Sequence, residues 1–267
     1  MRKKIFKIDG FYKVTLMISL VLCILWIYFV NATPFSDFKY YYTVAVNIAN
    51  GGQWGDTYTT VGYSIVLGGI FKLFGASIIH AKIFNIVLTL TSSLLFYDIL
   101  NKINIKEKDR KWIFVIFVLF PNNIYFNSLL ATEILFTTIL LAITDIYFRN
   151  NKYKYILIGI LTAAGTMVKP FFIVFAFAIF LIEIIKYRKF TNSLKHTLVI
   201  FIVAMICLSP WIYRNTMLIG QPTFISNNGG IVLYLNNNSQ NTFGRWMPAA
   251  KIENSILDTK EYKASNA

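Results

Sequence analysis

Apolar residues in this chain gather in long blocks. They show neither the alternation of a half-buried strand nor the single stripe of a surface helix. The blocks lie near residues 14–31, 79–99, 112–122, 129–148, 155–169, 171–186 and 197–213. About 20 apolar residues suffice for a helix to cross the hydrocarbon of a bilayer. The pattern therefore predicts an all-α polytopic membrane protein with about seven transmembrane helices, although several blocks fall short of that length. The two blocks that meet at Lys169-Pro170 form either a tight hairpin or a kinked helix, since Pro cannot continue a helix undisturbed. Two further segments, FKYYYTVAVNIAN (38–50) and VGYSIVLGGIFKLF (61–74), are apolar and aromatic and flank Gly51-Gly52 and Gly55. They read as helices lying along the membrane interface, where Tyr and Trp are favoured.

The charges between the blocks orient them. Arg2, Lys3, Lys4 and Lys7 precede the first block, and Lys102, Lys106, Lys108, Arg110 and Lys111 follow the second. Arg149, Lys152 and Lys154, then Lys186, Arg188, Lys189 and Lys195, fill the next alternate loops. The intervening loops are poor in Lys and Arg. This alternation follows the positive-inside rule and places the N-terminus in the cytoplasm and everything after Tyr213 outside. No small-residue cleavage site follows the first block, so it reads as a retained helix in the cell membrane. The expected organisation is a transmembrane domain over 1–215 with an outer loop at 32–77. A short extracytoplasmic segment, 216–267, reads as part of a truncated region.

Composition agrees with that class: 56% of residues are hydrophobic and 14% charged. The formal net charge of +14 is spread through short loops, so it sets topology and does not form a nucleic-acid surface. Cys23 and Cys207 each lie inside an apolar block and read as small core residues. His80 and His196 fall on opposite sides of the membrane, which leaves a divalent metal an open question.

Sorted by side, Asp98, Asp145 and Glu183 sit at cytoplasmic helix ends, where nearby Lys and Arg are expected to pair with them. On the outer side, ahead of the C-terminal tail, Asp37, Asp56 and Glu133 are the acids. Lys169 and Arg214 are cations at the outer ends of blocks. Charges close to hydrocarbon are costly and point to function. Asp37 is a candidate general base for an acceptor hydroxyl. Lys169 and Arg214 are candidate ligands for a phosphate that gains charge as it leaves. Each has a structural alternative: Asp37 as part of a Ser36-Asp37 helix cap, Glu133 as a first-turn acid, Lys169 snorkelling to the interface, and Arg214 as an anchor. No GxGxxG or P-loop pattern follows a strand, so a nucleotide site is not expected.

The order of several short motifs resembles the membrane-embedded GT-C glycosyltransferases. The similarity is to the bacterial branch related to protein O-mannosyltransferases and the lipid A aminoarabinose transferase. The motifs are Ser36-Asp37 followed by Tyr41, Gly62-Tyr63 before an apolar helix, Thr132-Glu133 opening a span, Lys169-Pro170, Pro210-Trp211 with Arg214-Asn215, and the Gly-rich stretch Ser226–Gly230. The resemblance implies transfer of a sugar from a polyprenyl-phosphate donor to an acceptor on the outer side. It implies that Asp37 is the catalytic carboxylate and Glu133 a second acid, that Lys169 and Arg214 bind the donor phosphate, and that Tyr41, Tyr63 and Asn215 line the groove. Some members use a divalent metal near the first-loop acid. Many carry a Pro-rich stretch before Gly-Tyr where this chain has Thr57-Tyr-Thr-Thr-Val61. The alternative function is a non-catalytic protein that binds lipid-linked sugar or assists its assembly.

Overall fold

A computed structural model describes residues 8–253 of the chain. Among the described residues all regular elements are helical. Helix α1 (Gly10–Phe29) is capped by Asp9, whose carboxylate accepts from the Phe11 amide. Two short helices follow, α2 (Ser36–Ala49) and α3 (Gly62–Phe74). Next come α4 (Ile78–Lys102), α5 (Glu107–Val118), the single turn α6 (Pro121–Tyr125) and α7 (Thr132–Phe148). Helix α8 (Lys154–Val168) stops at Lys169-Pro170. A 3-10 turn, Pro170–Val174, then leads into α9 (Phe175–Tyr187). The long α10 (Phe190–Ile219) and the short α11 (Gly229–Asn237) complete the order.

Cross-bundle bonds define two ends. At one end Tyr12 at the start of α1 donates to Glu107 at the start of α5 over 3.1 Å. There Tyr155 at the start of α8 donates to Glu183 near the end of α9 over 2.6 Å. That bond makes α8 and α9 antiparallel, so Lys169-Pro170 is a hairpin corner and not a kink. At the other end Trp26 meets the Tyr125 carbonyl, Thr60 the Val168 carbonyl, and Asn227 the Thr57 carbonyl. Among the described residues, α1, α4, α5, α7, α8, α9 and α10 run between the two ends.

Four elements are long and apolar enough to cross a membrane alone: α1, α4, Pro170–Tyr187 and α10. The seven-span count is therefore not confirmed, because α5 has only 12 residues, and α7 and α8 have 17 and 15. At about 1.5 Å per residue the latter two rise only about 22–26 Å, less than a hydrocarbon core of about 30 Å. Helix α4, with 25 residues, overshoots that core. The thirteen residues of α3 lie packed on α2.

The first end is held by a charge cluster around the buried Asp145. Asp98 bonds Lys102 at 2.8 Å and Arg149 at 2.9 Å, while Asp145 bonds Arg149 at 2.7 Å and also Lys102. Asp98 and Asp145 thus take the Lys and Arg partners expected of them. Glu183 differs. Its carboxylate meets His196 Nδ1 at 2.7 Å and the Tyr155 hydroxyl, with the imidazole stacked on the Tyr155 ring. The same geometry sets His196 at this end, opposite His80, which bonds the Gly75 carbonyl beside α3. A large apolar core runs along the bundle, from Tyr41, Tyr63 and Leu67 through Leu130 and Ile134 to Phe172 and Ile200.

Candidate active site

The chain enters α2 through a strained residue. Ser36 has φ of +47°, the left-handed region, which costs a non-glycine residue on the order of 1 kcal/mol or more. No side chain caps the helix, so the Ser36-Asp37 cap does not form. The reversal at Ser36 instead sets Asp37 in the first turn of α2, facing a cleft of about 580 Å³.

Three elements supply the opposite wall. The α8–α9 corner gives Val168, Lys169 and Pro170, the start of α7 gives Thr132, and the 58–60 stretch gives Tyr58, Thr59 and Thr60. Lys169 takes an extended conformation between the two helices, its amide bonded back to Gly165. The corner is fixed from below by α3. Thr60 Oγ1 donates to the Val168 carbonyl at 3.1 Å, and Gly62 lies so close to Met167 that a Cβ there would be 2.4 Å from its carbonyl carbon. Asn228, Val232 and Trp246 close the cleft from the far side.

Asp37, Tyr41 and Lys169 thus share one cleft. Burial first, and then the neighbouring Asp37 and Glu133 carboxylates, push the Tyr41 phenol up to about 12. Tyr41 is a neutral hydrogen-bond donor over the physiological range and sits within electrostatic reach of both acids. Lys169 Nζ meets Glu133 Oε1 at 3.1 Å, and Glu133 Oε2 accepts from Thr132 Oγ1 at 3.3 Å. The loop that brings Glu133 there hangs on two asparagines. Asn85 of α4 donates to the Leu129 carbonyl at 2.7 Å, and Asn127 bonds Thr89 and the Asn123 carbonyl.

The other expected residues lie elsewhere. Tyr63 is fully buried, packed edge-on behind Tyr41, with its hydroxyl on Asn85 at 3.4 Å. Asn215 is also fully buried and donates to the Phe224 and Ile225 carbonyls at 3.1 and 3.0 Å. Both correct the groove assignment: they brace the wall and do not line it, because the helix face they occupy points into packed protein. Arg214 is committed too. Its guanidinium bonds the Gly55 carbonyl, Asp56 O and Asn215 Oδ1, and it stacks 4.4 Å from the Trp211 ring centroid. Asp56 in turn accepts from Tyr40 and the amides of Tyr58 and Thr59. Arg214 thus clamps the loop whose next residues line the cleft.

Sequence reasoning missed the hydroxyls of Thr59, Thr60 and Thr132 and the Trp246 indole; of these, the Thr-rich run before Gly62 carried a signal. It also passed over Lys82 in the 79–99 block. Lys82 is 3% exposed and has no hydrogen-bond or ion-pair partner among the described residues. Among the described residues no three His, Cys, Asp or Glu gather in one place. Asp37 is the one carboxylate among the described residues that line the cleft; a hard divalent ion held by one or two protein carboxylates takes its other ligands from water and substrate phosphate.

A second, smaller chamber of about 170 Å³ lies behind Glu133, between α4, α7 and the 117–126 segment. Beside it, an apolar groove of about 710 Å³ runs between α1 and α6 and shares Asn122 with the chamber.

Residues 59–213 match the family model described as dolichyl-phosphate-mannose-protein mannosyltransferase. No curated protein and no solved structure gives a match. The matched stretch spans more than half of the chain and takes in Tyr63, Glu133 and Lys169; Arg214 is the residue after its end, and Asp37 lies well before its start at residue 59. On that match the chain, an all-α polytopic membrane protein, belongs to the dolichyl-phosphate-mannose-protein mannosyltransferase family.

Proposed function

We propose that this membrane glycosyltransferase moves a sugar from a polyprenyl-phosphate donor to an acceptor hydroxyl on the outer side of the membrane. The observation that carries the reading is the cleft that Asp37 and Lys169 both line, within a chain whose family is named for mannosyl transfer from a lipid phosphate. The cleft lies at the end of the bundle away from the Lys102–Arg149 cluster. By the positive-inside rule that cluster is cytoplasmic, which makes the cleft outer.

In this reading the acceptor oxygen attacks the anomeric carbon of the donor sugar. The bond between that carbon and the phosphate oxygen breaks, and its electron pair stays on the phosphate. The acceptor proton passes to Asp37 as general base. The leaving phosphate monoester gains negative charge, which Lys169 balances. Glu133 holds Lys169 in position until the donor arrives. Tyr41 donates a hydrogen bond into the cleft. Arg214 serves the site through the loop it clamps.

The test is transfer of radiolabelled sugar from polyprenyl-phosphate mannose in membranes containing wild type or Asp37→Asn at equal protein level. A loss of at least about 10²-fold in the variant is expected, the low end of what one positioned base supplies. Transfer that survives the change would remove Asp37 from the role of base.

A further inference from the structure

The chamber behind Glu133 is built unlike the lipid-facing surface around it. Its α4 wall presents the hydroxyls of Thr89, Ser92 and Ser93, and its α7 wall that of Thr137. Three of these four have protein partners. Thr89 donates to Asn127, Ser92 shares a proton with Thr138, and Ser93 donates to the Thr89 carbonyl. Each hydroxyl retains acceptor capacity, because one oxygen offers two lone pairs and one proton. The Thr137 hydroxyl and the Asn122 side-chain amide have no partner among the described residues, yet both line the chamber. Asn122 is exposed and Thr137 half-buried, so both are open to a ligand that enters the chamber. Phe117, Phe120 and Phe126 form the remaining walls as flat apolar faces. Hydroxyl and amide groups on some walls and aromatic faces on others match a pyranose, whose rim is polar and whose C–H face is not.

Its position joins it to the cleft. Thr132 lines the cleft and Glu133, the next residue, lines the chamber. Lys169 lines the cleft and reaches Glu133 across that boundary. The ion pair is therefore the partition between the two spaces. Its side chains are 42% and 29% exposed, and pairs of that exposure contribute no more than about 1 kcal/mol. The partition opens at small cost.

We propose that the chamber seats the sugar ring of the lipid-linked donor, with its anomeric carbon at the Glu133–Lys169 rim. The inference rests on the donor reading above and assigns its sugar-recognition site. Thr137 and Asn122 bind the ring hydroxyls. The phosphate meets Lys169 at the rim once the ion pair parts, and the acceptor approaches through the cleft beside Asp37.

The test measures binding of two radiolabelled lipids to the full-length protein in lipid nanodiscs: polyprenyl-phosphate mannose and polyprenyl phosphate without sugar. Wild type is expected to prefer the sugar-bearing lipid. Thr137→Val keeps the side-chain shape and removes the hydroxyl; the preference should fall about three- to tenfold, the equivalent of one hydrogen bond. Thr137→Phe fills the chamber and should abolish the preference. In both variants the affinity for the bare lipid should stay within twofold of wild type. A preference retained in both variants overturns the chamber assignment and leaves the donor reading standing. An equal loss for both lipids also overturns it, by making Thr137 a packing residue. Wild type that binds neither lipid overturns the donor reading itself, and the chamber assignment with it.

Discussion

Replacing Gly62 by Ala tests whether the cleft depends on the placement of the Lys169 corner. A Cβ at Gly62 would stand 2.4 Å from the carbonyl carbon of Met167 and 2.6 Å from the Val168 nitrogen. These are backbone atoms and no side-chain rotation relieves the clash. Ordinary Cβ contacts begin at 3.4 Å, so the end of α8 must retreat by 3.4 − 2.4, about 1.0 Å. Overpacking of this kind costs about 1–3 kcal/mol. Val168 immediately precedes Lys169, so the shift is delivered to the ammonium opposite Asp37. A misplacement of about 1 Å can cost on the order of 10²-fold in rate. The control is Gly69→Ala on the same helix, where a Cβ meets nothing within 4 Å and helix propensity improves by up to about 1 kcal/mol. Thermal unfolding of both purified variants and sugar transfer from polyprenyl-phosphate mannose are measured side by side. Gly62→Ala is expected to remain folded and to lose at least tenfold in transfer relative to Gly69→Ala. Folded Gly62→Ala with transfer within twofold of its control would refute the claim that the corner's position matters to the chemistry.

Two further outcomes follow from the electrostatics. Asp145→Asn leaves Lys102 and Arg149, whose side chains are 24% and 54% exposed, paired with Asp98; no buried charge is stranded, so a loss of no more than about 1 kcal/mol is expected, read as a slightly lowered unfolding temperature with no change in substrate preference. Arg214→Ala frees the Gly55 and Asp56 carbonyls it holds, so chymotryptic cutting at Trp54 and Tyr58 should quicken in the folded protein, and unchanged cutting would dismiss the clamp.

Much of the architecture was legible because the bilayer makes a coarse demand. Apolar blocks become helices, and the Lys and Arg between them mark one end of the bundle. The 38–50 and 61–74 segments were legible as short helices set apart by their flanking glycines. The pairing of Asp37 with Lys169 in one cleft followed from motif order and side. What failed was finer. Tyr63 and Asn215 sit beside cleft residues in sequence but on the wrong face, and one turn of a helix decides that. Trp246 and Val232 reach the cleft only through a long-range fold-back of the chain after α10. Glu183 found His196 and Tyr155 and not a Lys, because α9 and α10 pack with those side chains inward. Lys82 vanished into an apolar average, since one cation within the 79–99 block barely alters it.

The two ends of the bundle use charge in opposite ways. At the Lys102 end four groups saturate one another, with Asp145 almost wholly buried. Breaking such a cluster strands a buried charge, so it holds α4 and α7 in register, as the Ser92–Thr138 bond does further along the same two helices. At the cleft end the corresponding pair, Glu133–Lys169, is half open to solvent and its loss strands nothing. Helix α7 carries both acids, Asp145 near one end and Glu133 near the other. One is fixed so that the helix stays in place, and the other is left separable, the property a site requires if its cation is to exchange an internal carboxylate for a substrate phosphate.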